Sequence, residues 1–306
     1  MGPLRWHGVL CIIQPLVFSG WAAMTSSSET HPRPGYHVRI KPASTWADLP
    51  FRELWRFRDL LVTLTLRDVR LRYKQTFIGV AWVVLQPLLA SLIFAFVFGR
   101  VAGLTSGDVP YVAFVFAGML PWNAFAGALQ RAGGSLVASA QLISKVYFPR
   151  LIIPLAATLG VLVDFVVALV VMLIILLISG HGLSLNLLAI PALLVLTLLN
   201  AAAVGTLISA LSVYYRDFTY ALPFIIQAWF FASPVVYSVD IIEGPLRPLY
   251  LLNPMVGIIA GFRWAFFGDG AFPVELVAIS AAFSVIFLAI SLTVFQRVEQ
   301  HFADVV

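Results

Sequence analysis

Long stretches of this chain carry no charged side chain. Between Lys74 and Arg100 lie 25 uncharged residues, and between Asp108 and Arg131 lie 22. Asp164 and Arg216 enclose 51, Asp217 and Asp240 enclose 22, and Glu275 and Arg297 enclose 21. About 20 apolar residues wound as a helix cross a hydrocarbon layer of about 30 Å. The pattern therefore predicts an all-α membrane protein with six transmembrane helices, near 77–99, 111–131, 151–178, 187–211, 218–238 and 274–296. Pro121, Pro154, Pro191, Pro223 and Pro234 fall inside these spans. Membrane helices tolerate them where neighbouring groups re-satisfy the backbone.

Residues 51–74 have a different pattern. At 100° per residue, Arg52, Arg56, Asp59, Thr63, Arg67, Arg70 and Lys74 share a stripe about 80° wide. Leu54, Phe57, Leu61 and Leu64 lie away from it. This predicts an amphipathic interface helix lying in the membrane surface, before the six-span domain of residues 75–300. Ahead of it, residues 1–50 read as a disordered extension, rich in Ser, Thr and Pro over 25–45. Residues 9–23 are apolar but broken by Gln14 and Pro15. Either translation begins at Met24, or a cleaved or interfacial segment precedes it. Between the fifth and sixth spans, residues 239–273 are apolar and aromatic yet carry Arg263 and four prolines. A re-entrant helical hairpin in the outer leaflet fits them better than a full span.

Composition agrees: 61% of the 306 residues are apolar and 11% charged, against about half and a quarter in soluble domains. The net charge of +5 does not point to nucleic acid, because eleven of the 19 Lys and Arg precede the first span. With an inside N-terminus, sixteen basic residues fall inside and only Arg100, Arg247 and Arg263 outside. Both termini are thus expected in the cytoplasm. Cys11 is the single cysteine, which excludes a disulfide framework and a cysteine zinc cluster.

The chemistry of the chain is sparse. Its three lysines, Lys41, Lys74 and Lys145, follow no glycine-rich phosphate loop, and no HExxH, CxxC or GxSxG occurs. Energy for uphill transport must come from another subunit or an ion gradient. Asp164 is the one carboxylate placed mid-span; a hydroxyl or amide partner within the bundle is the plainer expectation, a translocation role the sharper. Asp108, in the first outer loop, is expected to be a solvated charge. The aromatics Trp122, Phe125, Trp229, Phe230, Phe231, Tyr237, Tyr250, Phe262, Trp264, Phe266 and Phe267 are expected to be mostly lipid-facing anchors, with a minority lining a pore.

Six motifs in order resemble one family. RDVRLRYKQTFIGVAWVVLQP at 67–87 looks like the entry to the first span of type-2 ABC exporters of polysaccharides. LPWNAF at 120–125, SKVYFPR at 144–150, YYRDF at 214–218, SPVVYS at 233–238 and NPMVGIIAGFRW at 253–264 resemble its later landmarks, over about residues 50–300. The family includes permeases for O antigen, capsule and teichoic acid. The resemblance implies a homodimer paired with two copies of a separate ABC ATPase. That ATPase would bind ATP and Mg; no cofactor is expected in this chain, and no catalysis. It also implies a bacterial inner membrane and a lipid-linked polysaccharide as substrate.

On that footing, the 131–150 loop would dock on the ATPase through Ser135, Ser139, Gln141, Lys145 and Arg150, with Arg216 and Asp217 as a second contact. Arg67, Arg70, Arg72 and Lys74 would receive a pyrophosphate head group, or only anchor the helix to anionic lipid. Trp122, Phe125, Trp229, Phe230 and Tyr237 would line the glycan path. Two alternatives stand beside this: an exporter of a drug or small lipid, and an integral-membrane glycosyltransferase or polymerase.

Overall fold

Inside hydrocarbon a backbone can bond only to itself, so apolar runs of this length must be wound as helices. The computed structural model describes residues 51–74, 79–107, 109–180, 182, 184–268 and 270–299, and no strand occurs among them. The extension 1–50, with Met24, lies outside the described residues, as does Asp108. The helices are α1 (Phe51–Arg56), α2 (Arg58–Tyr73), α3 (Gly79–Phe94), α4 (Tyr111–Ala138), α5 (Ala140–Ile143) and α6 (Ile152–Leu159). There follow α7 (Leu162–Ile178), α8 (Ile190–Tyr214), α9 (Asp217–Phe231), α10 (Arg247–Leu251), α11 (Pro254–Phe267) and α12 (Val274–Glu299). Alpha-helix α3 continues as a π-helix over Ala95–Val101.

Five stretches among the described residues are long and apolar enough to cross a membrane: Ala81–Val101, Tyr111–Ala138, Ile152–Ile178, Leu185–Tyr214 and Val274–Glu299. The chain is a multi-pass membrane protein. A sixth arises only if Gly244–Leu251 and Pro254–Phe267, which meet at 85°, count as one span. The expected fifth span, 218–238, is corrected. Its helix stops at Phe231 after 15 residues, about 22 Å at 1.5 Å per residue. Pro234 has no N–H to give and pushes Ser233 away from helical geometry, so the rest of the segment cannot continue the helix. The second span departs the other way: α4 runs seven residues past the expected end at Arg131, to Ala138.

The expected interface helix breaks at Phe57 into α1 and α2. Leu54, Phe57, Leu60, Leu61 and Leu64 pack into an apolar cluster with Leu136, Phe148, Ile152, Ala156 and Phe295. Arg56, Asp59, Thr63, Arg67, Arg70 and Lys74 are exposed, as the stripe requires. A third face departs from the simple two-faced picture. Trp55, Val62 and Leu66 are also exposed and lie within about 40° of one another on the helical wheel.

Helix α4 is the hub, packed on α8, α6, α11, α7, α3 and α9. Lipid tails are as apolar as leucine, so helices gain little from burying leucine and must approach closely instead. Small residues permit this. A Cβ on Gly205 of α8 would stand 2.6 Å from the Cβ of Ala132, and one on Gly133 would stand 2.5 Å from Leu222 of α9. At the crossing of α11 and α12, a Cβ on Gly257 would stand 2.0 Å from the carbonyl oxygen of Leu276. Several buried hydroxyls are satisfied within their own helices: Thr158 donates to Pro154 O, Thr197 to Leu193 O and Ser284 to Ser280 O, at 2.8–2.9 Å.

Gly257→Ala meets backbone, which cannot swing aside. Overpacking of this kind costs about 1–3 kcal/mol, and a clear fall in the thermal unfolding midpoint of the detergent-purified chain is expected. Gly182→Ala, where an added Cβ meets nothing within 4 Å, should leave that midpoint unchanged.

Candidate functional site

Asp164 is in the first turn of α7, just after the chain breaks between α6 and α7 at Gly160 and Val161. A carboxylate there is favoured by the exposed N–H groups of the helix start. Its charge is met by three side chains from two other helices. Arg131 of α4 donates from Nη2 to Oδ2 at 2.6 Å. Arg72 of α2 donates to the same oxygen, and the Tyr73 hydroxyl donates to Oδ1. Asp164 is met inside the bundle, as the plainer expectation has it, by one hydroxyl, that of Tyr73, and beyond that expectation by two guanidiniums. A carboxylate withdrawn from water needs full positive charges as well as dipoles. Burial first, and then the hydrogen bond to Asp164, hold the Tyr73 hydroxyl above its usual range, so it stays a donor.

Glycines make room for this arrangement. A Cβ on Gly127 would stand 3.3 Å from Nη2 of Arg131, and one on Gly160 would stand 3.8 Å from its Nη1. The guanidinium of Arg131 therefore lies in a slot between α4 and the α6–α7 break. Beside it a cavity of about 320 Å³ opens between α2, α4 and α6. Arg67, Arg72, Arg131, Ser135 and Ser139 are on its wall.

The four expected head-group cations therefore divide. Arg67 and Arg72 face the cavity. Arg67 is also paired with Asp68 at 2.9 Å. Arg70 and Lys74 are exposed on the outer stripe and have no part in the cavity wall. Arg131 and Tyr73 were missed by sequence reasoning. A signal for the cluster existed: on a helical wheel Arg72 falls off the polar stripe and onto the face of Leu54 and Leu61. A cation on an apolar face asks for a buried anion, and Asp164 was the one mid-span candidate.

Just past the cavity, at the C-terminal end of α4, the chain turns sharply. Ser139 closes the helix, α5 supplies a single turn, and Phe148 and Leu151 bury themselves before α6. Gln141, Ser144, Lys145, Val146 and Tyr147 are exposed. Leu142 and Ile143 pack inward on the apolar cluster below α2. Ser135 is buried and donates to Ala132 O, so it belongs to the cavity and not to the outer turn. Arg150 ties the turn to the last helix, its backbone N–H donating to Glu299 Oε1 at 3.2 Å and its Nη1 to Glu299 O at 2.7 Å. Arg216 and Asp217 are exposed at the start of α9.

The aromatics are not mainly lipid-facing. Trp122, Phe125, Phe230, Phe262 and Phe266 are buried, and of the eleven named only Phe231 is fully exposed. The reason is mutual packing: Trp122 meets Phe125 and Phe230 at 5.6 Å between ring centroids, and Phe125 meets Trp229 at 5.0 Å. Phe125 has no accessible surface at all. Beyond α9, the non-helical segment 232–238 keeps its carbonyls occupied by side chains. Asn253 donates to Ala232 O, Tyr111 to Val236 O, and Arg263 to both Val235 O and Tyr237 O, at 2.6–2.9 Å. The Arg263 guanidinium also lies 3.6 Å over the ring of Phe114.

Comparison with known proteins gives these features a family. The ABC-2 type transporter family matches residues 59–267. An O-antigen export system permease protein RfbA of Myxococcus xanthus is 29% identical over 255 residues, covering 83% of this chain and 97% of that protein. One of the same name from Klebsiella pneumoniae is 28% identical over 249 residues, covering 81% and 95%. A polysialic acid transport protein KpsM of Escherichia coli is 23% identical over 197 residues, covering 64% and 76%. Matched across most of its helices, from α2 through the end of α11, this chain belongs to the ABC-2 type transporter family.

Proposed function

We propose that the chain is the membrane permease of an ATP-driven exporter that carries a polyprenyl-pyrophosphate-linked polysaccharide across a bacterial inner membrane. One observation carries this reading: its similarity to O-antigen export permeases runs over 95–97% of their length. The absence of any phosphate-cradling loop supports a division of labour in which a separate ABC ATPase binds ATP and Mg. Both termini and the α4–α6 turn then face the cytoplasm, in keeping with the positive charge of the N-terminal segment.

The working unit is a homodimer with two ATPase copies. Two uncovered stripes support the pairing. Trp82, Leu85, Leu89, Leu92 and Phe96 are exposed along the first apolar helix, and Tyr220, Phe224 and Phe231 along α9. The helices adjoin through Phe94 and Phe230, whose rings stack at 5.5 Å. A second copy covers part of this surface, and the glycan passes between the copies. Trp122, Phe125 and Phe230 then stand behind the path as its support, while Trp229, Tyr237 and the exposed rings of α9 offer the sliding surface. Helix α9, short of a full crossing, and the bent α10–α11 pair close the outer side as a re-entrant element.

The exposed turn of α5 receives the push of the ATPase. Its inner face is packed under α2 and Arg150 links it to α12, so displacement of the turn moves both. Arg67 and Arg72, the α2 cations on the cavity wall, receive the substrate's anionic head group.

Deletion of the gene should cause lipid-linked glycan to accumulate on the cytoplasmic side, as scored by accessibility in sealed inverted vesicles. Normal export in the deletion strain would discard the reading. An unaltered glycan pool with lost drug efflux would favour the small-molecule exporter, and loss of glycan synthesis the membrane enzyme. In a Cys11→Ser background, Gln141→Cys should crosslink to the ATPase in an assembled, active complex; Tyr220→Cys, on a lipid- or partner-facing helix, should not. Arg70→Ala with Lys74→Ala should leave export within about twofold of wild type, since both are exposed and neither is on the cavity wall. Arg72→Lys, which keeps the charge but loses the guanidinium fork, should reduce export severalfold with insertion unchanged.

A further inference from the structure

The cavity between α2, α4 and α6 is lined on its polar side by Arg67, Asp68, Arg72, Arg131, Ser135 and Ser139. The rest of its wall is mostly small, and no bulky side chain fills it. Arg67 is neutralised by its neighbour Asp68. Arg72 and Arg131 share a single carboxylate, Asp164, which backs the guanidiniums and is not itself part of the wall. Two cations on one anion leave a net positive charge. Each guanidinium carries five N–H donors, whereas a carboxylate offers about four acceptor positions, and Tyr73 occupies one of them here. The cluster is short of acceptors on the side that faces the cavity.

The volume of about 320 Å³ is at the low end of small-molecule pockets, about 300–1,000 Å³. It suits a compact anionic head group and excludes an oligosaccharide. Phosphate and carboxylate present the same pair of oxygens to an arginine fork.

We infer that this cavity is a phosphate-binding site and that Asp164 is its resident counter-anion. A phosphate group of the lipid-linked substrate enters by exchange, its oxygens taking the donors of Arg131 and Arg72 while Asp164 retains Tyr73. Arg131 is the central ligand, because it is fixed by the slot at Gly127 and Gly160. The exchange releases Arg72 and leaves Tyr73 as the tie of α2 to Asp164, so occupancy of the site alters how α2 is held. No covalent bond changes. The inference rests on the proposed export of a pyrophosphate-linked glycan. The same chemistry could come from an anionic phospholipid, and the test separates the two.

The full chain with its ATPase is placed in nanodiscs of phosphatidylcholine, and retention of glycan-free polyprenyl pyrophosphate is measured. Asp164→Asn removes the competing anion and should tighten binding on the order of tenfold, the equivalent of one charge-assisted hydrogen bond. Arg131→Lys should weaken it by a similar factor while the complex still assembles. An Asp164 that only holds helices together predicts no gain in binding from Asp164→Asn in an assembled complex, and that result overturns the exchange. Should Asp164→Asn fail to assemble, Arg131→Lys decides: unchanged pyrophosphate binding overturns the site. In a second arm phosphatidylglycerol competes at equal concentration. Weak competition supports the substrate assignment, and equal competition overturns it. The broader function is tested separately, since the deletion strain can accumulate glycan whether or not these variants change binding.

Discussion

A carboxylate drawn into an apolar bundle cannot stay charged without cations fixed around it, and Asp164 is the point on which three parts of this chain converge. Its ligands come from residues 72, 73 and 131. No one helix holds the cluster; it exists only when α2, α4 and α7 are mutually placed. Breaking such a group by removing one partner leaves another charge buried and alone, which is why buried pairs are costly to disrupt even where forming them gains little. The glycines at 127 and 160 and the break between α6 and α7 are the local features that let the guanidinium reach its anion.

Helix α4 carries the consequences outward. Its 28 residues form one continuous helix about 42 Å long at 1.5 Å per residue. Along it lie the aromatic contacts at Trp122 and Phe125, the charge at Arg131, the cavity wall at Ser135, and the turn into α5 at Ser139. A displacement imposed at the turn enters the same helix that carries the charge cluster and the aromatic contacts. The close approach of α4 to α8 through Gly205 and Ala132 adds to this, because a seam of small residues has no side chain that can yield. Movement at one end is therefore passed to the charge cluster and to the aromatic wall together.

Much of this was legible in the sequence. The five long spans lie close to five of the six expected ones, since hydrocarbon leaves helix as the only solution for such apolar stretches. The outer stripe of α2 followed from periodicity. What periodicity could not supply was the partner of a charge 92 residues away, as Asp164 is from Arg72. The charge of Arg131 marks a span end on pattern alone; its anion allows it to remain inside the helix. The aromatics misled for a related reason. Hydropathy does not separate a ring facing lipid from one facing another ring, and Phe125, Trp122 and Phe230 chose one another. At the fifth span the signal was present in Ser233-Pro234, a sequence that stops a helix; what could not be read was that side chains from α4, α11 and Asn253 would donate to the freed carbonyls.

That last arrangement bears on how the protein is made. Tyr111 is already present when Val236 is synthesised, but Arg263 follows Val235 by 28 residues and Tyr237 by 26. At about 5–20 residues per second, the ribosome leaves those two carbonyls without their guanidinium for on the order of seconds. Over that interval the segment after α9 has acceptors that lipid cannot satisfy. The arrangement after α9 is therefore complete only once α11 has been made and brings Arg263 to these carbonyls.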